Sequence, residues 1–184
     1  MKKILIVLGS QREKSFNGVL ANAIASSLEG KAEVSFLDFA DVPFVNQDIE
    51  VPAPAPVARI RNEVTAADGV WVVSPEYNHS YPGLVKNVID WLSRPLDLTD
   101  PNRVSVLTGK KTTASSIAGA DAGATVLEKL NELLSFIGAD HLAEDQAGLM
   151  IPGASWATNE LELDAEQQAA VEKQVARFLE FLEN

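Results

Sequence analysis

The chain has 184 residues and carries 15 Lys and Arg against 26 Asp and Glu, which gives a formal net charge of −11. Domains commonly have about 100 to 200 residues, so we expect one domain over residues 1–184. The acidic balance argues against nucleic acid as a partner, because its phosphates would be repelled. The chain contains no Cys, which excludes disulfides, thiolate metal sites and a Cys nucleophile.

The amino terminus resembles a signal peptide, because Lys2 and Lys3 precede the apolar run from Ile4 to Leu8. That run is shorter than the roughly 7 to 15 apolar residues of a signal-peptide core. No segment reaches the roughly 18 to 20 apolar residues that a membrane-spanning helix needs. We therefore expect a first strand, no membrane span and a cytoplasmic protein.

Short apolar runs alternate with segments of helical period along the chain. The first run predicts a strand buried on both faces, and the apolar stripe from Phe16 to Leu28 predicts the helix that follows it. The later strands are predicted at 32–39, 70–73, 112–117 and within 141–151. The later helices are predicted at 57–67, 82–94, 126–137 and 164–182. Four prolines between Pro43 and Pro56 predict a surface segment, and residues 94–110 are expected to form a loop.

Five strands alternating with five helices predict an α/β fold with a parallel sheet and helices on both faces. In such sheets, ligands bind beyond the carboxyl ends of the strands, near the point where the strand order reverses. The loops after the first, third and fourth strands are therefore the expected places for a site.

The loop after the first strand, residues 9–17, is rich in groups that bind anions. Ser10 and Ser15 offer hydroxyl groups, and Arg12 offers a guanidinium. Asn17 adds an amide at the start of a helix, where free N–H groups favour negative charge. The spacings of the nucleotide-binding P-loop and of the dinucleotide-binding glycine motif are absent. The loop predicts a site for one phosphate; alternatively, Ser15 only caps the helix and Arg12 is a solvated charge.

The loop after the third strand, residues 74–83, combines two tyrosines with amide and hydroxyl groups. Pro75 and Pro82 stiffen this loop, so its backbone groups could be preorganised against the edge of a planar ligand. The alternative is a surface turn whose tyrosines pack on neighbouring helices.

The two histidines give little support for other chemistries. His79 has no Cys or second His beside it, so no metal site is expected, and His141 is expected to be structural. A Ser–His–Asp hydrolase built on Ser10 or Ser74 would lack the Gly-x-Ser-x-Gly elbow.

Two motifs carry a family resemblance. The first is Gly9-Ser10-x-Arg12-x-x-Ser15-x-Asn17-x-x-Leu20-Ala21, and the second is Pro75-Glu76-Tyr77-Asn78-x-Ser80-x-Pro82-Gly83-x-x-Lys86-Asn87-x-Ile89-Asp90-Trp91. Together they resemble the NAD(P)H-dependent FMN reductase family, whose members include quinone, azo-dye and chromate reductases. The resemblance implies a flavodoxin-like three-layer sandwich with a five-stranded parallel sheet ordered 2-1-3-4-5.

The resemblance also implies a noncovalently bound FMN. Its phosphate would be held by Ser10, Arg12, Ser15, the Phe16 backbone and Asn17. Its isoalloxazine would be bordered by Pro75, Glu76, Tyr77 and Asn78, and on the other side by Ser116 and Gly119. In the loop after the fourth strand, residues 117–125 lack the paired glycines and the following Arg that family members often have.

The implied activity is hydride transfer from NADPH or NADH through FMN to a small acceptor such as a quinone, a flavin or an azo compound. A ping-pong mechanism without an obligatory side-chain acid or base is expected, because the cofactor carries the chemistry. The family further implies a homodimer or homotetramer. The alternative is an FMN-binding electron carrier or redox sensor that does not turn over NAD(P)H, which an acidic surface and the missing Arg would suit.

Overall fold

A computed structural model describes residues 1–119 and 121–184. The described residues form six strands: β1 Lys2–Leu8, β2 Ala32–Phe36, β3 Gly69–Val73, β4 Lys111–Ala118, β5 Asp140–Leu142 and β6 Gly148–Met150. They also form six α-helices: α1 Phe16–Ser27, α2 Ala55–Ala66, α3 Gly83–Leu92, α4 Ala124–Phe136, α5 Gly153–Thr158 and α6 Ala165–Glu183. One 3₁₀ turn, Gln47–Ile49, lies in the proline-rich surface segment.

The strands form one parallel sheet in the order β2-β1-β3-β4-β5, and β6 pairs with β4 beyond β5. This order confirms the predicted flavodoxin-like α/β fold. The register sets Leu8 beside Val73 and Val73 beside Ser115, so β1 and β3 end together and β4 extends to Ala118 on the same side of the sheet.

Alternation along β1 divides the apolar residues between two layers. Leu5 and Val7 pack in a core with residues of α2, α3 and α4. Ile4 and Ile6 pack in a second core with residues of α1 and α6 on the opposite face. Successive side chains of a strand point to opposite faces, so both faces of this strand are covered and its sequence is a continuous apolar run.

The prediction of a single strand within 141–151 is wrong, because two short strands, β5 and β6, occupy that region. The side chain of Gln174, fully buried on α6, lies at the break between them. It accepts a hydrogen bond from Ala147 N at 2.7 Å and donates one to Ala114 O at 2.9 Å. A side chain thus replaces part of the strand ladder, and the chain shifts from one stretch of β4 to the next.

The sequence also missed α5, which begins after Pro152 and ends at Asn159. Helix α2 begins at Ala55, two residues before its predicted start, since Pro56 occupies a first-turn position where its missing N–H costs nothing. Among the described residues, no helix combines the length and apolar character needed to cross a membrane.

Candidate functional site

A cavity of about 290 Å³ lies at the edge where β1, β3 and β4 end. Its walls come from the three loops predicted from the sequence and from the segment that contains α5. The lining residues are Ser10, Arg12, Ser15, Phe16, Asn17, Pro75, Glu76, Tyr77, Ile117, Ala118, Gly119, Ile151, Trp156 and Asn159.

The start of α1 forms one end of this cavity, which we call the α1 end and define by residues 10–17. Ser15 caps the helix, its side chain accepting a hydrogen bond from Gly18 N at 3.2 Å. Within the described chain, the N–H groups of Phe16 and Asn17 have no hydrogen-bond partner. The first turn of α1 contains no acidic residue. These N–H groups and the positive end of the helix dipole therefore remain available to an anion.

Asn17 has a different role from the one its residue type suggested. Its buried side chain donates from Nδ2 to Ile117 O at 2.9 Å and accepts at Oδ1 from Ile117 N at 3.1 Å. This pair of bonds ties the start of α1 to β4. The Asn17 side chain therefore fixes the loop, while its backbone N–H still faces no protein partner among the described residues.

Arg12 is the one Lys or Arg side chain among the described residues that line the cavity. Its guanidinium carbon lies 4.9 Å from the centroid of the Phe16 ring, which is a cation–π contact. Its Nη1 donates a hydrogen bond to Oδ1 of Asn159. Both contacts restrict the guanidinium to the α1 end of the cavity.

Helix α5 supplies cavity residues that sequence reasoning missed. Trp156 packs edge-on against Phe16 at a centroid distance of 5.7 Å, and Asn159 holds Arg12. Helix α5 has only six residues and no recognisable motif, so its sequence does not predict that it contributes to the cavity. The available clue was positional, since this segment follows the carboxyl end of another parallel strand, β6.

The wall formed by Pro75, Glu76, Tyr77 and Gly119 lies near the start of α4, because Glu76 contacts Val126. We call this region the α4 end and define it by residues 75–79 and 119–126 without residue 120. Here the Glu76 carboxylate accepts a hydrogen bond from Val126 N at 3.1 Å. The Asp121 carboxylate accepts from Gly123 N and Thr125 N, both at 3.1 Å. Hydrogen bonds from Thr125 hold the pKa of Asp121 at about 2, so it is ionised at neutral pH. Two carboxylates thus occupy the positive end of α4 and disfavour a second anion there.

The same contacts bring three possible metal ligands together, Glu76, His79 and Asp121, whose ligand atoms lie within 4.8 Å of one another. His79 Nδ1 is 3.5 Å from Glu76 Oε1, and its side chain is largely exposed. The sequence does not predict this cluster, because Asp121 lies in a different loop from Glu76 and His79. Capping of α4 accounts for the positions of both carboxylates.

Nine of the eleven predicted site residues line the cavity, and two do not: Asn78 and Ser116. Asn78 is exposed and sits in a tight turn closed by a hydrogen bond from Tyr77 N to Ser80 O at 2.8 Å. Ser116 is fully buried, and its hydroxyl has no hydrogen-bond partner in the part of the chain that the structure describes. Its side chain faces Gly123, just before α4, whereas Ile117 and Ala118, closer to the end of β4, line the cavity.

Ser74 and His141, the residues considered above for a hydrolase or a metal site, both make structural contacts. Ser74 is buried and donates its hydroxyl hydrogen to Pro75 O at 2.9 Å, so it is not paired with a histidine. His141 lies outside the cavity lining, with Nδ1 2.8 Å from Thr112 Oγ1 and Nε2 2.8 Å from Asn131 Oδ1. Burial lowers the pKa of His141 to about 4, so the ring is neutral near pH 7.

The parallel order β2-β1-β3-β4-β5 and a ligand-sized cavity at the ends of β1, β3 and β4 are features of flavodoxin-like proteins. The family model for NADPH-dependent FMN reductases matches residues 2–150. The chain therefore belongs to the NADPH-dependent FMN reductase family, and it is an oxidoreductase. The resemblance carried by the two motifs is confirmed.

Named relatives agree with this assignment. A quinone reductase of Escherichia coli (strain K12) is 37% identical over 141 residues, which cover 74% of this chain and 71% of that protein. A 2-hydroxy-1,4-benzoquinone reductase of Burkholderia sp is 41% identical over 93 residues, which span only about half of either protein, 50% of this chain and 51% of the relative. The solved structure of FerB, a flavoenzyme NAD(P)H:(acceptor) oxidoreductase from Paracoccus denitrificans, has a TM-score of 0.86 and 27% identity, and covers 100% of this chain and 98% of that chain.

Proposed function

We propose that the cavity binds FMN noncovalently, with the phosphate at the α1 end and the isoalloxazine toward Pro75, Tyr77 and Gly119. In this proposal the protein takes a hydride from NADPH or NADH and passes reducing equivalents to a small acceptor such as a quinone, a flavin or an azo compound, by a ping-pong mechanism. FMN supplies the redox chemistry when it is bound. The chain belongs to a family defined by this cofactor. The proposed orientation of the FMN is inferred from the residues that line the cavity.

The orientation rests on the chemistry of the two ends of the cavity. The α1 end offers the N–H groups of Phe16 and Asn17 together with the Arg12 guanidinium. At the α4 end, Glu76 lines the cavity and Asp121 lies outside its lining, and both carboxylates already accept N–H groups from the first turn of α4. A phosphate dianion is attracted to the first set of groups and repelled by the second. This difference is the observation that supports the proposal most directly.

The lining residues are suited to binding and orienting rather than to acid–base chemistry. Arg12, Glu76 and Tyr77 are the lining side chains that could carry or exchange a proton, as far as the structure describes the chain. Glu76 is committed to Val126 N, and Tyr77 is 53% exposed at the rim. We therefore assign no residue as an obligatory acid or base.

Flavin uptake and reduction test the proposal. The protein is purified, mixed with FMN, separated from free flavin and examined by visible spectroscopy, then mixed anaerobically with NADPH or NADH. We expect a bound flavin spectrum that is rapidly bleached and is restored by a quinone. Bound FMN that stays oxidised would instead support the electron carrier or sensor, and failure to take up FMN would reject both functions.

We also propose that a second copy of this chain covers a groove beside α2 and α3, giving a homodimer or homotetramer. The groove is lined partly by exposed apolar side chains, of Val51, Leu96 and Leu98. Exposed apolar surface of this kind is typical of protein interfaces. Light scattering after gel filtration measures the oligomeric state. Leu96→Asp should shift the assembly toward monomer. Phe136→Asp is the control, because Phe136 is 87% exposed but lies outside the groove, and it should leave the oligomeric state unchanged. A monomeric wild-type protein would contradict the proposal.

Residues 1–184 are proposed to act as one FMN-binding domain, because α6 completes the core that also contains Ile4, Ile6 and Ile24. Removal of α6 should therefore abolish folding and flavin uptake together. A shortened chain that still binds FMN would contradict this. The cytoplasmic location stays a prediction.

A further inference from the structure

Four side chains, two from the α1 end and two from α5 and its C-cap, form a continuous set of contacts across the cavity wall. The guanidinium of Arg12 stacks on Phe16, and Phe16 packs edge-on against Trp156. Asn159 closes the set by accepting a hydrogen bond from Arg12 Nη1. All four residues line the cavity, so these contacts form part of its wall.

The position of Asn159 is itself determined by the end of α5. Its backbone is left-handed, with φ of 57° and ψ of 29°, and its N–H donates to Ser155 O at 2.9 Å. Asparagine adopts this conformation more readily than most residues. The side-chain oxygen of Asn159 is therefore presented by a fixed helix terminus, 147 residues away from Arg12 in sequence.

A restrained arginine binds a phosphate differently from a free one. An arginine side chain has many rotamers, and freezing them on binding costs free energy that preorganisation avoids. The guanidinium has five N–H donors, of which the bond to Asn159 uses one. Four donors remain for a ligand, and the cation is already held beside the free N–H groups of α1.

We propose that Asn159 is a positioning residue that holds Arg12 for the terminal phosphate of the flavin, so that α5 makes the site selective for a phosphorylated flavin. This inference rests on the proposed FMN site. It adds a selectivity element outside the two sequence motifs. It requires Asn159 to act through Arg12, and it requires the effect to depend on the phosphate.

Comparing FMN with riboflavin isolates the phosphate. Affinities are measured by quenching of flavin fluorescence in the wild type, Arg12→Ala, Asn159→Gly and the double variant. Glycine is chosen at position 159 because it keeps the left-handed backbone and removes only the side chain. Asn102→Gly, in an exposed loop outside the cavity, is the matched control.

We expect Asn159→Gly to weaken FMN binding by about 3- to 10-fold and to leave riboflavin binding unchanged. Arg12→Ala should weaken FMN binding by about 10- to 150-fold. The double variant should be no weaker than Arg12→Ala alone, because residues that act through one another are not additive. The control variant should match the wild type.

Three results would overturn the inference while leaving the FMN site intact. They are an unchanged FMN affinity in Asn159→Gly, an equal loss of FMN and riboflavin affinity in that variant, and losses that add fully in the double variant. Wild-type protein that binds neither flavin would instead overturn the proposed function, and the inference with it.

Discussion

Helices α1 and α4 both begin beside the same cavity, but their first turns are satisfied in opposite ways. Helix α1 is capped by the neutral Ser15, has no acidic residue in its first turn and lies next to Arg12. Helix α4 begins at Ala124, after Gly123, which has no capping side chain, and the carboxylates of Asp121 and Glu76 accept hydrogen bonds from its first turn instead. One helix is left open to an anion and the other is closed by the protein's own charges.

This difference gives the cavity a direction even though the chain as a whole carries a net charge of −11. Overall charge describes the long-range field, whereas a phosphate is held by a few donors at close range. The comparison also separates residues whose polar groups are free to bind a ligand from residues whose polar groups are used within the protein. Glu76 lies in the second motif, yet its carboxylate accepts a hydrogen bond from the first turn of α4.

The largest effect is expected at Gly123, where the α4 end is most tightly packed. Its φ is 78°, and an added Cβ would lie 2.4 Å from Ser116 Oγ. Gly123→Ala should lower the free energy of unfolding by about 2 to 4 kcal/mol, from backbone strain and overpacking together. Gly30→Ala is the control, because Gly30 has a similar φ of 71° but no atom lies within 4 Å of the position of an added Cβ. Urea unfolding should show a loss of only about 1 to 2 kcal/mol there; equal losses would contradict the packing argument.

Lowering the pH should decrease the free energy of unfolding through His141. This residue connects β4 to α4 by its contacts with Thr112 and Asn131. Its pKa is about 4 in the folded protein and 6.5 ordinarily, so the unfolded chain takes up the proton first. Stability from this group is complete above pH 6.5 and is lost as the pH falls from 6.5 to about 4. The loss amounts to about 2 to 3 kcal/mol.

The measurement is urea unfolding between pH 7 and pH 4.5, compared in the wild type and in His141→Gln. The variant should be less stable at pH 7 and should lose less stability on acidification. Parallel pH profiles in the two proteins would show that His141 is not responsible.

At the α1 end, removal of the Ser15 cap should have a smaller effect. Ser15→Ala loses the hydrogen bond to Gly18 N and should cost about 1 kcal/mol of stability without flavin. Ser26→Ala, at an exposed position inside the same helix, should be neutral or slightly stabilising because alanine favours helix. Thermal unfolding of the two variants checks this, and similar melting temperatures would argue against the cap.

The smallest effect is expected for Glu76→Gln, which keeps an oxygen acceptor for Val126 N but removes the charge at the start of α4. A loss of about 0.5 kcal/mol is expected from the helix dipole. Glu132→Gln, exposed later in α4, should have no measurable effect. Chemical unfolding of both variants at low and high salt tests the cause, because only the Glu76 difference should shrink as salt increases.

Most of the site could be predicted because its chemistry is written in continuous stretches of sequence. Ser10, Arg12, Ser15 and Phe16 follow one buried strand, and Pro75 to Tyr77 follow another, so the strand pattern already placed them at one edge of the sheet. The family resemblance predicts Asn78 and Ser116 as site residues, but neither lines the cavity. A tight turn removes Asn78 from the cavity wall, and Ser116 is buried against Gly123 instead of facing the cavity.

Apolar periodicity predicted an α/β fold, and two contiguous motifs predicted the family and, through that resemblance, the strand order. These signals depend on neighbours along the chain, so the sequence by itself contains them. Tertiary structure alone decided which groups remain free. Asn17 is bonded to Ile117, 100 residues away, and Arg12 to Asn159, 147 residues away. Gln174 splits the last strand from a helix that follows it. Hydrogen bonds between distant segments are satisfied only after the layers pack, so local pattern does not reveal which donors the folded chain leaves for a ligand.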